Sequence, residues 1–376
     1  MIEYENQFKM IFSIGEYNDF LQEENLFLLK LNERVGCVLP EFEIQFKISN
    51  SNLFKVLNET NELKLSIGVK EIQVDVPLKI YKKHVETNSE GNYTITAQGL
   101  LSNSAFLFSP RSRTFGNATS NGQAISGLEI IGAIAKENFQ TIDANIENSQ
   151  DYMLRIQPGI SNKQAIEEIW HTLYTPETFI TMGITSQGKF KIRDIRQLVG
   201  TEPDWNFTFQ PKNVSKDIEP KGNAILDDES GINNYLFGYI RQQEFWDEDS
   251  GDQYVSQTGN ATLFSLASSF NRDNIVMQNP QVARNENMYT EYWEAYMTNL
   301  SNLALFSSVT YQLQFQPWWY PVEILDLAML NVEDPKGVSE EAFSGLYTVS
   351  AVSRVFKKRK ITTVVGLNRE GFNKIL

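Results

Sequence analysis

Glu41-Phe42-Glu43-Ile44-Gln45-Phe46-Lys47-Ile48 alternates polar and apolar side chains at every step. Successive side chains of a strand point to opposite faces, so Phe42, Ile44, Phe46 and Ile48 share one buried face. The same period extends along the flanking sequence: Leu65, Ile67 and Val69, then Ile72, Val74, Val76, Leu78 and Ile80. Past the turn signal Asn88-Ser89-Glu90-Gly91, Tyr93, Ile95 and Ala97 alternate again. Several strands joined by short polar connections predict a small antiparallel barrel or sandwich. Between them, residues 50–62 fit a short helix with Leu53, Phe54, Val56 and Leu57 inward.

The period changes after the loop Gly116-Asn117-Ala118-Thr119-Ser120-Asn121-Gly122. Ser126 with Glu129 three residues on is a capping box, flanked by Ile125 and Ile130 as a hydrophobic staple. Leu128, Ile131, Ile134 and Ala135 continue a short buried helix. Ser161 and Gln164 open a second helix, whose inner stripe is Ile166, Ile169, Trp170 and Leu173. Residues 179–184 and 190–195 flank Ser186-Gln187-Gly188 as a hairpin. From Trp205 the chain returns to β-structure with Phe207, Phe209 and residues 234–240. Residues 241–285 read as irregular and polar, and 286–306 as a helix with Tyr289, Tyr292, Tyr296, Leu300 and Leu303 on one face. A meander closes the chain. Val309, Tyr311, Leu313 and Phe315 alternate; Val322, Ile324 and Leu325 resume after a proline-bracketed interruption; Asp334-Pro335-Lys336-Gly337 is a turn. Tyr347, Val349, Ala351 and Phe356 then lead to a basic hairpin tip, from which 361–367 returns. No fixed-period repeat is present.

At 376 residues the chain has room for two or three ordinary domains. With 41% hydrophobic and 21% charged residues it can build sizeable cores. Its 33 Lys and Arg against 47 Asp and Glu leave −14 at pH 7, which argues against a general nucleic-acid coat. The single cysteine, Cys37, excludes an internal disulfide framework and a multi-cysteine metal site. Two histidines remain: His84, expected exposed after Lys82-Lys83, and His171, expected packed beside Trp170. No phosphate-binding loop, dinucleotide fingerprint or nucleophile elbow is present. The reading therefore assigns no catalytic residue, no cofactor and no metal. The N-terminus shows no basic segment followed by an apolar one, so no signal peptide is expected and synthesis in a cytoplasm is. The most apolar run, residues 127–135, contains Glu129 and falls short of the about 20 residues a spanning helix needs, so no membrane insertion is expected.

Carboxylates are the abundant reactive group. Asp227, Asp228, Glu229, Asp247, Glu248, Asp249 and Asp252 supply candidates for a two-carboxylate glycosidase, against the plainer reading of a solvated acidic loop. The calcium-loop pattern is incomplete there. Between Asp227 and Asp252 eight acids face one base, Arg241, a local −7. From Arg354 to Leu376 seven bases (Arg354, Lys357, Lys358, Arg359, Lys360, Arg369 and Lys374) face Glu370, a local +6. Opposite fields on one subunit fit head-to-tail or layered assembly, although a lysine-rich tip also serves to blunt a sheet edge. Trp318, Trp319 and Tyr320, held between Pro317 and Pro321, form the densest aromatic patch, read as core or interface. The candidate protein-interface residues are thus Trp318, Trp319, Tyr320, Lys357, Lys358 and Arg359.

The order of elements resembles the baseplate central hub proteins of contractile-tailed phages, relatives of the N-terminal hub part of type VI secretion spike proteins. The likeness is carried by Gly36-Cys37-Val38-Leu39-Pro40-Glu41-Phe42-Glu43-Ile44-Gln45-Phe46, as the start of a first barrel. It continues with Pro158-Gly159-Ile160-Ser161 leading to Ile166 and Trp170, and with Ser186-Gln187-Gly188-Lys189-Phe190. It closes with Ser344-Gly345-Leu346-Tyr347-Thr348-Val349 and the last strand, Thr362-Thr363-Val364 to Asn368-Arg369-Glu370-Gly371. Residues 317–321 depart from it, where hubs tend to place glycine-rich turns. The resemblance implies a mainly β fold with α+β insertions: two tube-protein-like β-barrel domains plus inserted small α/β domains. On that reading 1–110 is the first barrel, 111–204 the inserted α+β domain, 205–240 the start of the second barrel, 241–304 an insertion with a helix, and 305–376 the rest of the second barrel. It further implies a non-enzymatic homotrimer in the virion baseplate, whose six barrels match a hexameric tail tube. Its implied partners are the central spike, the tube or tube-initiator protein and the tape measure protein, with DNA passing through unbound. A distal tail or tube-terminator ring protein is the alternative, and a tail-associated glycan-degrading enzyme using the 227–252 carboxylates is another.

Overall fold

The structure, a computed structural model, describes residues 8–15, 17, 21, 25–49, 55–57, 59–69, 72–89, 91–103, 105–116, 125–175, 178–209, 220, 224–229, 240–247, 251, 253–258, 276–284, 289, 291–315, 321–333, 341–357 and 360–372. The chain is mainly β with small helical insertions, as expected, and its long sheet divides into two modules. The first module holds β1 (Phe8–Ser13), β2 (Leu26–Arg34), β3 (Glu41–Ile48), β4 (Glu62–Val69), β5 (Ile72–Thr87) and β6 (Tyr93–Leu101), all antiparallel, in the order β1-β4-β5-β6-β3-β2. The strand that sets the reading, β3, buries Phe42, Ile44, Phe46 and Ile48 in strict alternation.

The insertion that follows holds α1 (Ala105–Phe108), β7 (Pro110–Phe115), α2 (Gly127–Asn138), β8 (Thr141–Ala144), β9 (Arg155–Ser161), α3 (Asn162–His171), β10 (Ile180–Ile184), β11 (Lys189–Asp194) and α4 (Ile195–Val199). Both capping boxes form: Glu129 Oε2 accepts from Ser126 N at 2.9 Å and Gln164 Oε1 from Ser161 N at 3.1 Å, while each serine hydroxyl accepts the return bond. The apolar faces of α2 and α3 share one core with the first module, so Ile134 and Ile166 belong to the same buried cluster as Phe42 and Ile95.

The second module is assembled from distant segments: β12 (Trp205–Phe209), β13 (Ile225–Asp228) and, after an excursion, β17 (Val309–Phe315), β18 (Leu327–Val332), β19 (Gly345–Lys357) and β20 (Lys360–Arg369). Its core gathers Phe207, Leu313, Phe315, Tyr347 and Val365. The excursion contains β14 (Ile240–Asp247), β15 (Gln253–Thr258), β16 (Val276–Arg284) and α5 (Tyr292–Phe306). The two modules are continuous: β2 pairs with β19 from Arg34–Ala351 to Leu28–Lys357, giving one sheet of 12 strands. Each module has a long strand that changes neighbour at an irregularity. β5 pairs with β4 through residues 72–79 and with β6 through 78–87, with a shift between Ile80 and Lys82. β19 pairs with β18 through 345–348 and with β2 through 351–357, with a shift between Val349 and Ala351 against β20. Bulges of this kind bend a strand and turn a sheet through a corner.

Three local expectations are corrected. Residues 240–284 are not irregular throughout: β14 pairs with β15 antiparallel and with β16 parallel as a separate sheet. Strand-forming Phe245, Trp246, Tyr254 and Val255 sit there without the clean alternation that betrays a one-faced strand. Residues 322–325 do not resume a strand but form a loop before β18, in which Val322, Ile324 and Leu325 are wholly buried. Leu325 adopts a left-handed φ of 64°, costly for a branched residue, and is held by hydrogen bonds from Leu325 N to Val349 O and from Val349 N to Asp326 O. On α5 the buried residues are Ala295, Met297, Asn299, Asn302, Leu305 and Phe306 rather than the tyrosine stripe. Asn299 explains the shift: its amide donates to the carbonyls of Trp170, His171 and Leu173, satisfying the C-terminal end of α3. The Asp334–Gly337 turn lies outside the described residues.

Two charged clusters fix how the units meet. At the β2–β19 seam, Arg354 Nη1 lies 2.5 Å from Glu33 Oε1, with side-chain exposures of 4% and 1%. The same guanidinium donates to Val322 O at 2.6 Å, tying in the 321–326 loop. Nearby, Lys191 of β11, buried in the insertion, meets Glu323 at 2.8 Å and Asp326 at 2.6 Å. Lys189 contacts Glu323 at 3.0 Å, and Trp205 Nε1 donates to the other Asp326 oxygen at 2.9 Å. Burial alone would push the Lys191 ammonium down in pKa, but the charges of Asp326 and Glu323 outweigh it and raise it. Burial would likewise raise the Glu323 carboxyl, but Lys191, by charge and hydrogen bond, and Lys189 hold it below its ordinary value. Leu325 thus stands, in its left-handed conformation, between the two carboxylates that this loop presents to Lys191.

Three measurements follow. Glu33→Ala leaves a buried guanidinium uncompensated and is expected to cost about 3–5 kcal/mol, whereas Glu33→Leu with Arg354→Met recovers most of it; equilibrium unfolding of both variants decides. For Glu323, depressed below 4.5, the stabilisation is present above 4.5 and lost as pH falls through the folded value; for Lys191, raised above 10.5, it is present below 10.5 and lost as pH rises through the folded value. The joint is therefore indifferent to pH near neutrality, and Glu323→Gln should flatten the acid limb of a melting-temperature profile below about pH 4.5. Gly99 offers a steric test, because a Cβ there would overlap the Lys79 carbonyl and the Phe42 ring, while one at Gly132 on α2 meets nothing within 4 Å. Gly99→Ala should destabilise by about 2–3 kcal/mol, and Gly132→Ala should stabilise by about 0.8 kcal/mol.

Candidate functional site

Of the six interface residues read from the sequence, Lys357 is described, exposed at the end of β19 and paired in register with Lys360 of β20 and Leu28 of β2. Trp318, Trp319, Tyr320, Lys358 and Arg359 lie outside the described residues. The basic C-terminal segment carries less surface charge than its count suggests. Arg354 is consumed by Glu33, and Arg369 is fully buried, its guanidinium 4.3 Å from the Tyr347 ring centroid and donating to Ala342 O and Ser344 O. Among the described residues, Lys357 and Lys360 are exposed at the hairpin end, with Lys30 exposed on the adjoining β2. Phe27 sits in the same place: the β2–β3 register slips between Leu26 and Leu28, and Phe27 is left 42% exposed beside the Leu28–Lys357 pair. The sequence reading missed Phe27, which the strand alternation marks only if the bulge is known.

The acidic segment divides between two sheets. Asp227 and Asp228 lie on β13, which ends the long sheet and pairs with β17; Glu229 extends the ladder by donating to Ser308 O at 2.7 Å. All four residues of β13 are exposed, including Ile225 at 53%. Asp247 ends β14 in the separate sheet, and Glu248, Asp249 and Asp252 lie outside the described residues. Among the described residues no group of three or more His, Cys, Asp or Glu side chains is disposed to hold a metal. No helix among them is long and apolar enough to cross a membrane.

The isolated reactive residues are packed or solvated. His84 is exposed beside Glu86 at 3.3 Å. His171 lies between the rings of Trp170 and Tyr296, and burial lowers its pKa against the opposing charge of Glu167. Cys37 is buried with its thiol 3.3 Å from Met182 Sδ; burial pushes its pKa far up, so it is held as an inert thiol. An apolar groove of about 290 Å³ opens where the first module meets α1, lined by Val38, Leu39, Tyr81, Leu100, Leu107 and Phe108 with Glu41 and Lys163 at its rim. Tyr81 and Phe108, at 64% and 71% exposure, are its most open walls. The described surface thus offers strand edges, a basic hairpin end and aromatic patches, the material of protein interfaces.

No protein-family model matches the sequence, and no curated protein does. Solved structures do. The tail protein from Neisseria meningitidis MC58 is similar over 96% of this chain and 97% of its own, with a TM-score of 0.62 at 8% identity. The 43 kDa tail protein of prophage MuSo2 from Shewanella oneidensis is similar over 98% of this chain and 99% of its own, with a TM-score of 0.57 at 8% identity. An E. coli component of the type VI secretion system, itself described as similar in structure to the phage T4 tail proteins gp27 and gp5, covers 97% of this chain with 79% of its own, at a TM-score of 0.51 and 8% identity. The resemblance read from the sequence is borne out at the level of fold: this chain is built, nearly end to end, on the fold of those tail proteins and of that secretion-system component.

Proposed function

We propose that the protein is a structural, non-enzymatic hub of a contractile phage tail baseplate: a homotrimer that joins the central spike to the hexameric tail tube and forms part of the DNA channel. The observation that carries this reading is the pairing of two β-modules in one 12-stranded sheet, in a chain that aligns over 98% of its length with a prophage tail protein. Two modules per chain give six in a trimer, and six is the number a hexameric tube presents. The surfaces support it: exposed strand edges and aromatic patches suit lateral and axial contacts better than substrate capture. Its partners on this reading are the spike, the tube or tube-initiator protein and the tape measure protein, within the virion. On this reading the excess of 14 negative charges repels DNA, which slides through the channel unbound.

Native mass measurement of the purified chain, alone and with the spike protein, tests the reading. A trimer is expected once the spike is present. A ring of six identical chains would instead assign the protein to the tube-terminator class, and release of sugar from cell-wall glycan, abolished by Asp247→Asn with Asp249→Asn, would make it an enzyme.

A further inference from the structure

We propose that copies of this chain contact one another head to tail, the acidic β13 edge of one subunit seating against the basic β19–β20 hairpin end of the next. This deepens the trimer reading above and rests on it. The two patches stand at opposite ends of the second module. Through β17, Asp228 is level with Arg369 at the far end of β20, because Asp228 pairs with Val309 and Val309 with Arg369. Lys360 begins the same strand nine residues earlier, which at about 3.3 Å per residue separates the patches by about 30 Å. Salt screens exposed charges over about 8 Å, so the two patches cannot neutralise each other within one subunit.

Each patch carries the complement of the other. Asp227, Asp228 and Glu229 accompany exposed Ile225 and Leu226 on the acidic side; Lys357, Lys360 and Lys30 surround exposed Phe27 on the basic side. The contact therefore pairs opposite charges around an apolar centre, the usual make-up of a specific interface. Because the patches differ and lie apart, the contact is heterologous, the kind that closes into rings.

Charge reversal tests the contact in the full chain. Asp227→Lys with Glu229→Lys, or Lys357→Glu with Lys360→Glu, should each weaken self-association at least about tenfold at low salt, read by sedimentation, while melting temperature stays near that of the parent. A chain carrying both reversals restores attraction and should recover the trimer, which a merely structural loss would not do. A parent trimer whose mass is indifferent to either reversal overturns this contact and leaves the trimer standing. A parent chain that never trimerises, even with the spike present, overturns the trimer and this contact with it.

Discussion

Seven successive residue pairs between β2 and β19, from Arg34–Ala351 to Leu28–Lys357, carry the sheet from one module into the other. The strands concerned lie more than three hundred residues apart, so this seam closes nearly the whole chain. A buried ion pair stands on it. Glu33 is opposite Val352 and Arg354 opposite Leu31, a diagonal relation that puts both side chains on one face. Such a pair is poor evidence of net stability, because desolvation offsets its attraction. Its value is in register: a one-residue slip of β2 against β19 would turn Glu33 to the face opposite Arg354. The geometry of every surface further along the sheet depends on that register.

The joint beside the seam has a different character. Lys189 and Lys191 come from the insertion, Glu323 and Asp326 from the loop before β18, and Trp205 from the strand that opens the second module. Two lysines against two carboxylates leave the cluster neutral, and each member is bonded to another. The Val35–Gly183 bridge and the bond from Gly36 N to Met182 O attach the insertion to β2 close by. The insertion is therefore held to both modules, through a shared apolar core on one side and fixed charges on the other. Packed cores and saturated polar joints resist gradual deformation, so this connection is rigid.

The surfaces that remain are strand edges and bulges. Phe27 is exposed where a bulge takes it out of the alternation, and β13, exposed along its four residues, is the last strand of the sheet among the described residues. Both follow from how strands are arranged rather than from local composition. The basic hairpin illustrates the difference: Arg354 and Arg369 add to a charge count along the chain, yet neither reaches solvent.

The sequence by itself determined the elements whose signals are local. Alternation set β3, β6 and β17, and the serine capping boxes set where α2 and α3 begin, because both depend on residues within one turn or one strand. It also determined that a lone Cys37 allows no internal disulfide and that conventional nucleotide-binding motifs are absent, and the order of its elements carried the likeness to phage hub proteins. The strands at 240–284, the loop at 321–326 and the inner face of α5 were decided by tertiary structure. There, distant partners override local pattern: Asn299 faces inward because α3 needs its carbonyls satisfied, and Leu325 takes a left-handed backbone between the two carboxylates that meet Lys191. The seam itself was invisible in the sequence, since nothing near Glu33 announces Arg354; only folding brings the two charges within 2.5 Å and makes one sheet of two modules.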